Sequence, residues 1–390
     1  MSSAWLLPEH IADVLPARAR HVERLRRGLL DAAETFGFEL VIPPMLEHIE
    51  SLLTGTGHAL DLQTFKLVDQ LSGRTLGIRA DSTPQVARID AHMLNRPGVT
   101  RLCYCGPVLH TRASGSDATR EPLQFGAEIY GHDGLEADLE IQQLALECLH
   151  VAGLDRVVLD LADARIVRAM LAGVPVGGER LDAVYEALAA KDVVELRTLA
   201  REFPAEARRG LDVLVSLYGD EGILDEARRL LPERAGVSRA LADLGSLAAH
   251  AREAFPQARV GFDLADSSGY AYYSGARFAV YAEGASDAVA RGGRYDEVGA
   301  VFGRNRPAVG FGLDVKELAT LTPAAVGRTA IRARWSGQAA QREAMRGLRQ
   351  SGEIVVADFP GQEEAGASIG CDRSLVSRDD RWVVEPRASS

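Results

Sequence analysis

The sequence predicts an α+β protein. Strand-like segments fall into two groups on either side of a long helical stretch, and the first group contains a hairpin pattern around Ser72-Gly73. Doubly wound parallel folds alternate strand and helix regularly, and this order does not. The 390 residues are 46% hydrophobic and 25% charged, enough to bury a core of ordinary size without disulfide or metal staples. The expected architecture is a mixed, largely antiparallel sheet, a helical insertion, more of the same sheet, and a small α/β appendix.

Residues 5–16 read as an irregular entry that ends at Pro16. A helix follows, because Val22, Leu25, Leu29 and Ala32 recur at three-to-four spacing and form one apolar stripe, which Gly37 ends. Residues 38–42 read as a strand closed by Pro43 and Pro44, and residues 64–68 and 75–79 as a hairpin. Thr83 and Pro84 open a helix that runs through residue 92, proline suiting the first helical position. Strands at 101–105 and 124–130 flank a polar loop at 111–121, and a helix spans about 135–152. Residues 156–255 are expected to be mostly helical, with Asp192 and Glu195 spaced as a capping box.

Strand patterns return at 259–264, 270–273, 276–281 and 308–312, and residues 321–328 read as a linker. Beyond it, 329–335, 338–350 and 353–359 read as β, α and β, with a last strand at 382–384. The expected domains are a core over 1–320, with its helical insertion at about 165–255, and a small C-terminal α/β domain over 329–390.

Lys and Arg total 44 against 55 Asp and Glu, a net charge of −11. That balance gives no general pull toward nucleic acid, whose binding draws on phosphate neutralisation by Lys and Arg. Cys103, Cys105, Cys148 and Cys371 form no C-x-x-C pair, which points to a reduced, cytoplasmic protein. Cys103 and Cys105 alternate on one strand and read as small buried hydrophobes. The first residues lack the basic and apolar regions of a signal peptide, and no run approaches the roughly 18 apolar residues of a membrane span.

Thr54-Gly55-Thr56-Gly57 lacks the Lys-Ser/Thr of a phosphate-binding loop and reads as a turn. Arg291-Gly292-Gly293-Arg294-Tyr295-Asp296 also reads as a turn, with close backbone approach to a ligand as the alternative. The nine histidines show neither H-x-x-x-H nor H-E-x-x-H, so no metal site is expected. No G-x-S-x-G and no cysteine in a catalytic context supply a nucleophile. The residues alone predict no catalytic centre and no cofactor.

Taken in order, however, four blocks resemble the class II aminoacyl-tRNA synthetase core, and specifically the histidyl-tRNA synthetase family. Residues 7–16 resemble that family's opening, and residues 37–44 resemble its motif 1, the dimer-forming segment ending in proline. Residues 101–131 resemble motif 2, and residues 292–312 the motif 3 region. The resemblance covers roughly residues 5–320 and implies an antiparallel catalytic-type sheet. It also implies that two copies pair through the segment from Phe36 to Pro44.

Departures from the family pattern bear on function. An active synthetase carries in motif 2 an Arg on the ATP α-phosphate and a Glu two residues later; His110 and Arg112 stand there. Its motif 3 Arg, which holds the γ-phosphate, is replaced by Glu317 beside Lys316. Its catalytic Arg before the tyrosine pair is replaced by Ser268. Each change removes a guanidinium that would stabilise phosphate charge, and Glu317 would repel it. The amino-acid side of the site is better kept. By resemblance, Asp81 and Thr83 match the positions near the substrate amine, Gln124 and Glu128 the histidine-binding Gln and Glu, and Tyr272 and Tyr273 the tyrosine pair. A carboxylate and a phenol suit the two nitrogens of an imidazole.

Residues 369–376 and 382–384 resemble the tail of the synthetase paralogues that act as regulatory subunits of ATP phosphoribosyltransferase. That resemblance implies a non-catalytic chain needed for the first step of histidine biosynthesis and for feedback inhibition by histidine. Its implied partner is a short-form catalytic subunit, in a hetero-oligomer that contains a homodimer of this chain, with no nucleic acid and no membrane. The alternative is a synthetase-like ligase that adenylates histidine or an analogue for an acceptor other than tRNA.

Overall fold

The computed structural model describes residues 6–53, 58–113, 115, 118–267, 269, 272–298, 300, 303–324, 327–361 and 370–387. The expected turn at 54–57, the departure at Ser268, and part of the expected strand at 270–273 lie outside the described residues. The chain divides into two compact units, Met1–Ala324 and Ala325–Ser390.

In the first unit, the helix Pro16–Thr35 buries Val22, Leu25, Leu29 and Ala32 along one stripe. Gly37 follows it at φ +80°, a left-handed conformation that glycine adopts without Cβ strain. The strands come in chain order. β1 (Glu39–Leu40) joins a large sheet, while β2 (Leu46–His48), β3 (Phe65–Val68) and β4 (Thr75–Ile78) form a small one. β5 (Thr100–Pro107), β6 (Leu123–Tyr130), β7 (Val157–Asp163) and β8 (Tyr218–Gly219) continue the large sheet. β9 (Arg259–Asp263), β10 (Ala276–Ala282), β11 (Ala290–Arg294) and β12 (Ala308–Asp314) complete it. Its order is β1-β5-β6-β12-β11-β10-β7-β9-β8, antiparallel except where β1 meets β5 and β7 meets β9. The α+β class expected from the sequence is the class observed.

The two faces of this sheet do different things. From β6, Phe125, Ala127 and Ile129 enter the main core with Leu29 of the first helix and with Ile141 and Leu144 of the helix Leu135–Val151. The two-residue period of a strand then sends Gln124, Gly126, Glu128 and Tyr130 to the opposite face. On β5 the same alternation puts Cys103 in the main core, and Leu102 and Tyr104 in a second cluster with Tyr130 and Tyr295.

Several local expectations are corrected. Residues 157–163 are not helical but form β7, between β10 and β9, with Leu159 and Leu161 wholly buried. Asp163 ends that strand and caps the helix Ala164–Leu171 by accepting from the Arg165 N–H at 2.9 Å. The segment 290–294 is a strand rather than a turn. A Cβ on Gly292 would lie 2.5 Å from the Phe278 ring, and one on Gly293 would lie 2.7 Å from the Ala276 carbonyl. These glycines therefore admit neighbouring strands. The expected strand at 38–42 shrinks to the two residues of β1. The helix opened by Thr83 ends as an α-helix at Arg88 and continues as a π-helical turn, Ile89–Leu94. Arg306 anchors that turn by pairing with buried Asp90 at 2.8 Å.

The second unit contains β13 (Ala330–Arg334), β14 (Val355–Asp358), β15 (Cys371–Arg378) and β16 (Arg381–Pro386), in the order β14-β13-β15-β16. The helix Ala339–Gln350 packs Met345 onto Ile331, Ala333, Val355 and Leu375. β15 and β16 form a hairpin whose two-residue turn, Asp379-Asp380, has both φ angles positive. Among the described residues, no helix is long and apolar enough to cross a membrane.

Candidate functional site

The site lies on the polar face of β5 and β6, where the start of the helix Thr83–Arg88 meets the sheet. Asp81 Oδ1 accepts from the Thr83 N–H at 3.0 Å, from the Thr83 hydroxyl at 3.1 Å and from Gln124 Nε2 at 2.7 Å. Gln124 Oε1 in turn accepts from the Ser82 N–H at 2.9 Å, so both ends of the amide are fixed. Thr83 Oγ1 lies 3.0 Å from the Tyr104 hydroxyl, which donates to Glu128 Oε1 at 3.0 Å. The Tyr295 hydroxyl donates to Glu128 Oε2. The hydroxyls of Thr83 and Tyr104 thus stand in line between two carboxyls, Asp81 and Glu128.

Glu128 is almost wholly enclosed, at 1% exposure. Burial pushes its carboxyl up to about 8, against the opposing effect of the hydrogen bonds from Tyr295 and Tyr104. Glycines make room for this enclosure. Gly310 stands opposite Glu128 in the β12–β6 register, and a Cβ there would sit 1.5 Å from Glu128 Oε2. A Cβ on Gly126 would sit 2.3 Å from the Tyr104 hydroxyl. Aromatic rings continue the wall. Tyr272 stacks on Tyr295 with centroids 5.0 Å apart, and Tyr273 meets Tyr272 edge-on at 5.2 Å. The Arg277 guanidinium lies over the Tyr273 ring at 5.2 Å and pairs with Asp266 at 3.0 Å.

Asp81, Thr83, Gln124 and Glu128 therefore share one hydrogen-bond network, which Tyr272 joins by stacking on Tyr295 and Tyr273 joins through Tyr272. The half-buried Asp81 carboxyl suits an ammonium group, and the enclosed Glu128 carboxyl suits a ring N–H. Hydrogen bonding and orientation are what this set can perform.

Of the positions that depart from the synthetase pattern, His110 has its Nε2 held 2.9 Å from the carbonyl of Ala80, the residue before Asp81, and Arg112 is exposed. Glu317 is half-buried, and burial together with Asp314 and Asp287 raises its carboxyl above the usual range. Lys316 is tied to Glu121, whose carboxylate is 3.0 Å from Nζ. Phe36 packs half-buried against the main core and Pro44 is exposed, with its carbonyl accepting from Gln85 Nε2 at 2.8 Å. Between them Leu40 and Ile42 are 51% and 84% exposed.

Sequence reasoning missed Tyr104 and Tyr295, the two phenols that close on Glu128. Tyr104 lies between Cys103 and Cys105, so the alternation that buries the cysteines on one face already sends it to the other. Tyr295 directly follows the glycine pair and Arg294.

The histidyl-tRNA synthetase family profile matches residues 10–318, and that of the ATP phosphoribosyltransferase subunit HisZ C-terminal domain matches residues 328–385. A Variovorax paradoxus (strain S110) protein named ATP phosphoribosyltransferase regulatory subunit is 64% identical over 98% of this chain and 99% of its own. A Burkholderia mallei (strain SAVP1) protein of the same name is 56% identical over 99% of this chain and 100% of its own. The crystal structure of an ATP phosphoribosyltransferase regulatory subunit/histidyl-tRNA synthetase from Bacillus halodurans is 27% identical, with a TM-score of 0.82 over 95% of this chain and 99% of that one. A chain of the ATP phosphoribosyl transferase (HisG:HisZ) complex from Thermotoga maritima shares the fold, at 19% identity and a TM-score of 0.57 over 74% of this chain and 96% of that one.

Proposed function

The chain belongs to the family of ATP phosphoribosyltransferase regulatory subunits, built on a histidyl-tRNA synthetase-like core, and on that premise we propose that it senses histidine in the Asp81–Glu128 site and relays its presence to a catalytic subunit. The chain is a regulatory, non-catalytic subunit for the first step of histidine biosynthesis. The observation that best supports the sensing role is the hydrogen-bond network from Asp81 to Glu128, with His110 and Glu317 standing where the family resemblance implies phosphate-binding arginines. Histidine's ammonium is taken by Asp81 and its ring N–H by Glu128. Differential affinity for histidine between two assembly states is sufficient to transmit inhibition.

The partner is a short-form, HisG-type catalytic chain, a reading supported by the named HisG:HisZ complex among the structural neighbours. Two copies of this chain pair through residues 36–44, where exposed Leu40 and Ile42 lie on or next to edge strand β1. The assembly works in the cytoplasm. The ligase alternative is disfavoured by Glu317, which places negative charge where a triphosphate would sit.

Mixing the purified chain with the short-form catalytic subunit of the same organism tests this reading. Light scattering during size exclusion is expected to show one hetero-oligomer, and the chain alone is expected to give no histidine-dependent pyrophosphate exchange. Exchange activity, or two species that elute separately, would contradict it.

A further inference from the structure

The helical insertion carries a second site with a different chemistry. Two consecutive helices, Val193–Leu199 and Ala205–Leu214, form a half-open cavity of about 360 Å³. Its charged lining is Arg197, Arg201, Arg208 and Arg209 against a single carboxylate, Asp212. Buried Leu196, Ala200 and Leu211 form its floor, so the arginines rise from a packed base. Arg197 Nε pairs with Asp212 at 3.0 Å, and Arg208 donates to the Arg201 carbonyl at 3.3 Å. Nearby carboxylates are engaged by arginines outside the cavity, Glu202 by Arg180 at 3.0 Å and Glu206 by Arg234 at 3.6 Å. Among the described residues, the Arg201 and Arg209 guanidiniums have no acidic partner. The lining thus holds an excess of three positive charges on a chain whose net charge is −11.

We propose that this cavity binds a polyphosphate anion, either inorganic or as the phosphate tail of a nucleotide. Guanidinium forks match phosphate oxygens bidentately, and several forks around one cavity favour a ligand with several adjacent charges over a lone monoanion. A half-open site of this size admits a triphosphate, whereas the net charge of −11 on the chain opposes the long backbone of a nucleic acid.

The test is calorimetric titration of the full chain with inorganic tripolyphosphate, ATP, adenosine and a single-stranded RNA oligomer. Tripolyphosphate is expected to bind, more weakly as salt rises, and adenosine is expected not to bind. Equal affinity for ATP and tripolyphosphate identifies the phosphate chain alone as the ligand. Tighter ATP binding identifies a nucleotide.

The double variant R201A/R209A, at two exposed positions, is expected to weaken binding at least tenfold with an unchanged circular dichroism spectrum. Asp212→Asn frees Arg197 and is expected to tighten binding several-fold. The proposal is overturned by no binding at millimolar tripolyphosphate, or by unchanged affinity in R201A/R209A. It is equally overturned by weaker binding in Asp212→Asn, or by RNA binding tighter than tripolyphosphate through the same arginines.

Discussion

Glu128→Ala is expected to lower stability by about 3 kcal/mol or more, while Glu128→Gln stays folded and removes a pH dependence of the native chain. The alanine variant strips the acceptor from the buried Tyr295 phenol, leaves Tyr104 only Thr83 Oγ1 at 3.0 Å, and opens a void behind both. The orphaned buried hydroxyl costs about 1–3 kcal/mol, and the void adds to that. Glutamine keeps the shape and can both accept from and donate to the phenols. The pH effect has a definite sign. Glu128 titrates at about 8 when folded, against 4.5 for its ordinary value. Between those values the folded chain binds a proton that the unfolded chain does not. This contribution is therefore fully present below about 4.5, and is lost as pH rises through about 8, with a slope of at most about 1.4 kcal/mol per pH unit. Urea melts from pH 5 to 9 should show the native midpoint falling more steeply than that of Glu128→Gln. Parallel curves would mean that Glu128 is ionised in the folded chain.

Gly310→Ala is expected to destabilise the first unit by about 3 kcal/mol and to abolish histidine binding. The added Cβ would lie 1.5 Å from Glu128 Oε2 and 2.8 Å from the Ala127 carbonyl. Backbone on one side and an enclosed carboxyl on the other leave it no free direction, so Glu128 must abandon its bond from Tyr295. The same change at Gly245, inside the helix Ala235–Ala254, provides a contrast of opposite sign. There the nearest atom is 3.8 Å away, and alanine's helix propensity should add about 0.5–1 kcal/mol. Denaturant midpoints of both variants, with calorimetric titration by histidine, check the pair. Native-like stability of Gly310→Ala would show that Glu128 is not packed against β12.

Elements whose residues obey their own periodicity were legible in the sequence. The stripe of the first helix and the hairpin of β3 and β4 needed nothing beyond spacing and a turn. β7 was obscured because Asp160 and Asp163 interrupt its apolar run, one facing away from the buried leucines and the other acting as a helix cap. β11 was obscured because Arg-Gly-Gly-Arg has little strand propensity of its own. Its glycines are required by the ring of Phe278 and the backbone of β10, close approaches that the local residue pattern does not reveal. β15 escaped notice because only Leu375 of its eight residues is buried. In the site, Asp81, Thr83, Gln124 and Glu128 were identifiable through family resemblance. The phenols that close over Glu128 come from two strand regions far apart in the chain, and only the fold brings them together.

Regulation of a catalytic partner is read out by phosphoribosyl-ATP formation by the short-form transferase of the same organism, measured alone, with this chain, and with this chain plus histidine. The expected result is a large increase on adding the chain, reversal of that increase by histidine, and loss of the reversal in Tyr273→Phe or Glu128→Gln. A rate indifferent to the chain would rule out the regulatory role, and a histidine response untouched by both substitutions would rule out sensing at the Asp81–Glu128 site.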